Sequence, residues 1–246
     1  MNIHHITYSP QQKTVYLHFW GCSLSCRACI CRKEIYDYHL KETKEAIFQP
    51  NKVAEPAPET FLTINQVQEV LHSLEVQQVT FMGQEPTIDP ELLELAKELH
   101  REFSSYNILL TNGFKLLPVK DFDEIVFSIK AYTDSLHRDY TGKSNQEALD
   151  NFISLYKSRV KLRAESIFIP EYIEYEEIEN IARFIAQVDK SIPYRIDAYL
   201  PVADNPWRRP TSDEMKAAVT AARRFLNNVS CLTGNEELKY KVIRIV

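Results

Sequence analysis

Glycine is scarce in this sequence. It accounts for only 5 of the 246 residues, whereas average usage of about 7% would give roughly seventeen. A chain that uses so few glycines is expected to keep each one where a side chain cannot fit. The five positions are Gly21, Gly83, Gly113, Gly142 and Gly234.

Long apolar runs and an excess of basic charge are also missing. No segment approaches the roughly 18 apolar residues of a membrane-spanning helix, and the first ten residues, MNIHHITYSP, lack the apolar core of a signal peptide. The 29 basic residues are outnumbered by 34 acidic ones, which disfavours non-specific binding to nucleic acid. We therefore expect a cytoplasmic protein with neither a membrane nor a nucleic-acid partner.

The cysteines are few and unevenly distributed. Four of the five, Cys22, Cys26, Cys29 and Cys31, lie within ten residues, and Cys231 is far from them. In the absence of an export signal the thiols are expected to stay reduced, so no disulfide framework is predicted. A tight cluster of reduced thiols indicates a metal site first.

Strand and helix patterns alternate along a chain whose length suits one domain, residues 1–246. The predicted strands cover 14–20, 76–82, 107–111, 124–130, 161–169, 194–200 and 238–245. Helices are predicted near 33–45, after Thr63, from Asp89-Pro90 to about 103, near 134–139, over 145–158 and 174–188, and from Thr211 to about 227. The Pro-rich segment 32–61 is predicted to be a loop or lid. This alternation favours a mostly parallel α/β sheet, either a partial barrel or a doubly wound sheet.

Several distinctive residues directly follow predicted strands. Cys22 follows the first of them, Gly83-Gln84-Glu85-Pro86 ends the second, Thr111-Asn112-Gly113 ends the third, and Lys130 ends the fourth. In parallel α/β folds the chemistry lies at the carboxyl ends of the strands. The sequence therefore predicts a functional site at this edge of the sheet.

The spacing of Cys22, Cys26 and Cys29 is C-x3-C-x2-C. Three thiolates from one loop can bind three corners of a cubane iron–sulfur cluster and leave the fourth iron open. A structural zinc site favours four closed ligands, and a two-cluster ferredoxin needs more cysteines. The spacing therefore favours a cluster with an open iron over zinc.

The segment GCSLSCRAC (21–29) resembles the signature loop of the radical S-adenosylmethionine (SAM) superfamily, and GQEP resembles its GGEP motif with Gln84 at the second glycine. More narrowly, TNGF (111–114), EIVFSIK (124–130) and Leu200-Pro201 are similar to activating enzymes of glycyl-radical proteins. The resemblance covers about 14–200 and implies a partial (β/α)6 TIM-like barrel. The segment 201–246 is then a C-terminal extension of the same domain.

The resemblance also implies a mechanism and its cofactors. Cys22, Cys26 and Cys29 would hold a [4Fe–4S] cluster that cleaves SAM to a 5′-deoxyadenosyl radical, which abstracts hydrogen from a substrate. Residues at which it implies contacts with SAM are Ala28, Gly83, Gln84, Glu85, Thr111, Asn112, Ser128, Lys130 and Arg163. Glu85 would contact the SAM amine or brace its loop, and Lys130 would meet a carboxylate or the ribose. Ser128 would reach the ribose. Arg163 would bind either the ribose or a carboxylate.

The implied partners are a one-electron donor, such as flavodoxin or ferredoxin, and a glycyl-radical enzyme whose glycine gives up hydrogen. The activating enzymes carry two aspartates at a cation site, where this chain has Leu110 and Ser128. An alternative is therefore the same radical chemistry on a small molecule, a peptide or a nucleotide. A hypothesis from another class is a binding module that holds zinc or an electron-transfer cluster. Cys31 is predicted to be a neighbouring thiol, with a role as ligand or on the substrate side as the alternative.

Overall fold

The computed structural model describes residues 1–32, 40, 58–201, 205–236 and 239–246. Nine strands within these residues form one sheet: β1 (Ile3–Ser9), β2 (Thr14–Phe19), β3 (Gln78–Gly83), β4 (Tyr106–Thr111), β5 (Glu124–Ser128), β6 (Lys161–Phe168), β7 (Tyr194–Ala198), β8 (Val229–Leu232) and β9 (Ile243–Arg244). The described α-helices are α1 (Ile64–His72), α2 (Leu92–Phe103), α3 (Asp134–Thr141), α4 (Gln146–Lys157), α5 (Tyr175–Val188) and α6 (Ser212–Ala222). Short 3-10 helices cover Ile30–Arg32 and Pro86–Ile88.

The strands follow the order β8-β7-β6-β5-β4-β3-β2-β1-β9 across the sheet. Neighbours from β2 to β8 pair in parallel, and β1 is antiparallel to both β2 and β9. Since β8 and β9 form opposite edges in the described chain, the sheet is open. The predicted α/β class, a partial barrel with mostly parallel strands, is confirmed.

The structure adds strands at both ends of the predicted set. β8 extends the parallel series beyond β7, and β1 covers β2 on the other side. The strand predicted over 238–245 is shorter, since β9 spans only Ile243–Arg244, and position 238 lies outside the described residues. Most of the predicted loop or lid at 32–61, with its short helix near 33–45, also lies outside them.

The two faces of the sheet differ in polarity. On β5, Ile125 and Phe127 point into the main hydrophobic core, where Phe152 of α4 packs edge-on against Phe127 at 5.1 Å. Side chains alternate along a strand, so Ser128 belongs to the opposite face. This second face, called the inner face below, also carries Glu165 of β6, which is paired with Ser128. The helices therefore seal one face with apolar side chains and leave polar groups on the other.

The capping motifs in the sequence predict some of the helix starts correctly. Thr63 with Gln66, and Thr211 with Glu214, form the predicted capping boxes before α1 and α6. The predicted start of α2 at Asp89-Pro90 is two residues too early, because the helix begins at Leu92, although the Asp89 carboxylate does accept from the Glu91 N–H at 2.8 Å. None of the helices in the described part of the chain is both long and apolar enough to cross a membrane.

A buried carboxylate on α5 fixes the start of α3. Glu177, 5% exposed, accepts hydrogen bonds from the Tyr132 N–H, from the Thr133 N–H at 2.8 Å and from the Thr133 hydroxyl at 2.6 Å. Glu177→Ala is expected to lower the free energy of unfolding by about 2–4 kcal/mol, because it leaves these donors unpaired. Urea denaturation measures the change.

Glu176→Ala is the matched control, since Glu176 lies in the same helical turn but is exposed. It is expected to change the free energy of unfolding by less than about 0.5 kcal/mol. Equal losses in the two variants would contradict the assigned role of Glu177.

Candidate active site

The three spaced cysteines lie at the carboxyl edge of the parallel sheet. Cys22, Cys26 and Cys29 follow β2, and all three are half-buried cysteines that form no disulfide. Phe19 at the end of β2 is in register with Gly83 at the end of β3. We call residues 21–31, which carry the four clustered cysteines, the cysteine loop. Since β2 to β5 are parallel, this loop shares one edge of the sheet with the GQEP, TNG and Lys130 segments.

The end of α3 holds the cysteine loop in place. The Ser25 and Arg27 N–H groups, both at 3.0 Å, donate to the carbonyls of Thr141 and Tyr140. These carbonyls belong to the last helical turn, where no partner exists within the helix. The loop therefore completes the hydrogen bonding of α3 while α3 fixes its path.

An aromatic group packs against the middle of the same loop. Ala28 is 5% exposed and clusters with Tyr140 and Tyr199. The guanidinium carbon of Arg27 lies 4.9 Å from the centroid of the Trp207 ring, and Arg27 pairs with Asp139 at 2.8 Å. The cation–π contact thus ties the loop to the C-terminal extension, and the ion pair ties it to α3.

Gln84 connects the two ends of the cysteine loop. Its Oε1 accepts from the Gly21 N–H at 3.2 Å, and its Nε2 lies 3.5 Å from the Cys31 carbonyl oxygen. The backbone reinforces this link, since the Glu85 N–H donates to the Gly21 carbonyl at 3.0 Å. The Cys31 thiol donates to the Gly83 carbonyl at 3.1 Å. Cys31 therefore lies against the end of β3, and it also interacts with Cys29 and Cys22.

Glu85 braces the GQEP segment against the end of β4. It is 1% exposed, and its Oε1 accepts from the Thr111 hydroxyl at 2.8 Å and the Thr87 hydroxyl at 2.6 Å. Its Oε2 accepts from the Asn112 N–H at 2.6 Å. Burial raises the pKa of Glu85, although these donors oppose the rise. Of the two roles expected for Glu85, the geometry shows bracing.

Asn112 points its side chain at the cysteine loop. Its Nδ2 lies 3.4 Å from Cys22 Sγ and 3.4 Å from Ser23 Oγ, and its Oδ1 accepts from the Phe114 N–H at 3.0 Å. The Leu24 N–H also donates to Cys22 Sγ at 3.4 Å. Burial raises the pKa of the Cys22 thiol, and the Leu24 donor works against it.

Lys130 lies two residues beyond β5, close to the thiols. Burial lowers the pKa of its ammonium, but Cys26, Glu165, Cys29 and Cys22 outweigh that effect, so its pKa is raised overall. The charge of Lys130 is therefore stabilised by the cysteine loop on one side and by the inner face of the sheet on the other. This is the position expected for a cation that neutralises a bound anionic group.

The inner face next to Lys130 carries an ion network that the sequence analysis did not identify. Arg195 donates to Glu165 at 2.6 Å and to Asp197 through Nε at 2.7 Å, and the Ser128 hydroxyl donates to Glu165. The Ser128 hydroxyl, which was expected to reach the ribose of SAM, therefore forms a hydrogen bond within the chain. The two-residue spacing of Arg195 and Asp197 on β7 could have indicated the shared face, but not which face it was.

Asp197 gives this network a pH dependence. Burial, with Glu165, raises its pKa to about 6 against the pull of Arg195 and Lys130. A raised carboxyl pKa contributes stability that is complete below the ordinary value of 3.8 and is lost as pH rises through about 6. Relative to the wild type, Asp197→Asn is therefore expected to become more stable as pH rises from 4 to 7.

Urea denaturation at each pH measures this difference, with Asp213→Asn as the control for loss of an exposed carboxylate. Wild-type and Asp197→Asn curves that run parallel over the whole range would contradict the assignment.

Arg163 does not join the site, so its expected contact with SAM is wrong. It lies near the amino end of β6, opposite Val126 of β5, and pairs with Glu124. Glu124 is the first residue of β5 and also pairs with Lys161. The ion pair belongs to the edge of the sheet away from the cysteines.

The described part of the chain has no group of three or more His, Cys, Asp or Glu side chains placed to hold a single metal ion. A closed zinc site needs four such ligands around one ion. A cubane makes a different demand, because each thiolate binds its own iron. Three half-buried thiols on one loop provide that donor set.

Comparison with known proteins identifies the family. Residues 16–185 match the family model of the Radical SAM superfamily. A Methanocaldococcus jannaschii protein named "Putative glycyl-radical enzyme activating enzyme MJ1632" is 30% identical over 239 residues, which cover 94% of this chain and 84% of that protein. The chain belongs to the radical SAM superfamily.

Solved structures share the fold. A domain of pyruvate-formate lyase-activating enzyme from Bacteroides vulgatus aligns with a TM-score of 0.56 and 13% identity, covering 63% of this chain and 99% of that one. A radical SAM methyltransferase from Sphaerobacter thermophilus aligns with a TM-score of 0.64 and 16% identity, covering 89% and 65%. The protein is thus a radical SAM enzyme, and its family implies SAM and an iron–sulfur cluster.

Proposed function

We propose that this enzyme generates a 5′-deoxyadenosyl radical from SAM at a [4Fe–4S] cluster held by Cys22, Cys26 and Cys29, and uses it to take hydrogen from a glycine of a glycyl-radical enzyme. When bound and reduced, the cluster supplies the one electron that splits the SAM sulfonium into methionine and that radical. One observation carries the proposal: three half-buried thiols lie on one loop after β2, at the carboxyl edge of the sheet, in a chain that matches the radical SAM family model.

The chain's own residues hold and orient the reactants. The end of α3 and Gln84 fix the cysteine loop. The backbone around Gly83 accepts from the SAM amine, and Lys130 neutralises the SAM carboxylate or binds the ribose. Ala28, packed among Tyr140 and Tyr199, places the loop backbone beside the adenine. The same aromatic packing keeps water from the radical.

The glycyl-radical substrate is supported by the 30% identical relative and by TNGF and Leu200-Pro201. A second candidate is the same chemistry on a small molecule, a peptide or a nucleotide. It is supported by Leu110 and Ser128, which replace the aspartates of a cation site. The hydroxyl of Ser128 is bonded to Glu165, and Arg195 and Asp197 add charged groups that a polar substrate can meet.

Anaerobic reconstitution with iron and sulfide tests the proposal. The reconstituted protein, reduced by dithionite in place of flavodoxin or ferredoxin, is expected to convert SAM to 5′-deoxyadenosine. A chain that assembles no cluster, or a cluster that yields no 5′-deoxyadenosine, would overturn it. Electron paramagnetic resonance of a glycyl radical on a partner protein supports the first substrate. Deuterium transfer into 5′-deoxyadenosine from a labelled small molecule would favour the second.

A further inference from the structure

Asn112 is placed to act on the cluster through a cysteine ligand. We propose that Asn112 is a positioning residue whose amide N–H donates to Cys22 Sγ and raises the reduction potential of the cluster. The inference rests on the proposed function, because it concerns the cluster that Cys22 would hold. It differs from the contact with SAM that the sequence resemblance implied for Asn112.

The orientation of the amide follows from its neighbours. The Phe114 N–H can only donate, and it lies 3.0 Å from Oδ1, so this atom is the carbonyl oxygen. The NH2 group therefore faces Cys22 Sγ, at 3.4 Å. Reversing the amide would set two donors against each other at Phe114 and leave the sulfur without this N–H.

The rest of the residue is rigidly held. The Asn112 N–H donates to Glu85 at 2.6 Å, and the residue is only 5% exposed. Glu85 is fixed in turn by Thr111 and Thr87. The amide thus meets the sulfur without a competing solvent shell and with little freedom to turn away.

The NH2 group of the amide has two acceptors within reach in this chain. Besides Cys22, the NH2 group lies 3.4 Å from Ser23 Oγ. The Leu24 N–H adds a second donor to Cys22 Sγ, also at 3.4 Å. The geometry therefore directs the NH2 group of Asn112 toward the sulfur ligand and the neighbouring Ser23.

Hydrogen bonds to ligating sulfur are one of the main controls on the potential of an iron–sulfur cluster. Reduction adds one electron and makes the cluster and its thiolates more negative. An N–H donor stabilises the more negative state better than the less negative one. The donor from Asn112 therefore makes the cluster easier to reduce, with the electron supplied by the external one-electron donor.

The test is a redox titration of the reconstituted protein without SAM, followed by electron paramagnetic resonance. Asn112→Leu removes the donor at similar size, and Asn112→Asp keeps the acceptor for Phe114. At a fixed potential, Asn112→Leu is expected to show a ratio of reduced to oxidised cluster roughly fivefold lower than the wild type, a shift of about 40 mV to more negative values. Asn112→Asp is expected to shift further in the same direction, because it also adds negative charge beside the cluster.

Asn151→Leu is the matched control. The Asn151 amide donates to the Gly113 carbonyl at 2.8 Å, so it supports the same loop from the side of α4. This variant is expected to keep the wild-type potential. A shift of equal size in Asn151→Leu would show that general loosening of the loop, rather than the N–H to sulfur, sets the potential.

Three other outcomes would overturn the inference. The first is a wild-type potential in both Asn112 variants. The second is weaker SAM binding with an unchanged potential, which would make Asn112 a contact of SAM. The third is failure of both variants to assemble a cluster while Asn151→Leu succeeds, which would make Asn112 an assembly residue. A wild-type protein that assembles no cluster would instead overturn the proposed function, and this inference with it.

Discussion

Cys26→Ala is expected to abolish cluster assembly and SAM cleavage together. Cys26 is the middle ligand of the proposed set, and its removal leaves only two of the three proposed ligands. Losing groups that merely support metal ligands costs about 10–100-fold in affinity or activity. Losing a ligand should therefore lower the yield of 5′-deoxyadenosine by more than about 100-fold. Iron and sulfide per chain, with product yield, measure the two losses.

The matched control is Cys231→Ala, which deletes a thiol on β8 on the side of the main core. It is expected to keep both the cluster and the cleavage activity. Cleavage retained in Cys26→Ala would reject the ligand assignment.

Cys31→Ala separates the fourth thiol from the ligand set. Cys31 donates to the Gly83 carbonyl, so its loss is expected to loosen the contact with β3 while leaving iron content unchanged. Iron content that falls as far as in Cys26→Ala would make Cys31 a ligand.

The parts of the site predictable from sequence are those that depend on strand ends. Gly83, Asn112 and Lys130 each lie at or just beyond the end of a strand, and parallel pairing brings such ends together. Arg163 was expected from the family resemblance and not from a strand end, and it lies in the third position of β6. In a strand, each residue adds about 3.3 Å along the axis, so position within the strand decides which edge a side chain reaches.

The parts that could not be predicted depend on tertiary contacts. Sequence alone allows Glu85 either to bind a ligand or to brace a loop, and only the approach of Thr111 and Asn112 decides it. Gln84 departs from the family motif, but its link to Gly21 requires the cysteine loop to fold back over β3. The short β8 was missed because its four residues carry little pattern without β7 beside them.

The few glycines were expected to lie where a side chain cannot fit. All five have positive φ angles, a backbone conformation that other residues rarely adopt. They differ, however, in what surrounds them. A Cβ added to Gly83 would lie 2.5 Å from the Phe19 carbonyl oxygen and 2.7 Å from the Phe19 nitrogen. A Cβ added to Gly142 would meet nothing within 4 Å. A comparison of alanine variants at Gly83 and Gly142 therefore separates the cost of a steric clash from the cost of backbone strain.

Gly83→Ala is therefore expected to damage both the fold and the site. The alanine would keep an unfavourable φ near +104° and also push against the backbone at the end of β2. Phe19 would have to move, which breaks its bond with the Gln84 N–H and displaces Gly21 at the start of the cysteine loop. We expect a loss of about 3 kcal/mol or more in the free energy of unfolding. Cluster content should fall with it.

Gly142→Ala has a similar φ of +83° but open space, so it should cost only the backbone term of about 1–2 kcal/mol. The excess loss in Gly83→Ala, measured by urea denaturation, then reports mainly the contact with Phe19. Equal losses of unfolding free energy in the two variants would mean that Phe19 of β2 can move away from the new Cβ at no cost. In that case the cysteine loop would not be held by the close approach of β2 and β3, and its position would depend on α3 and Gln84 instead.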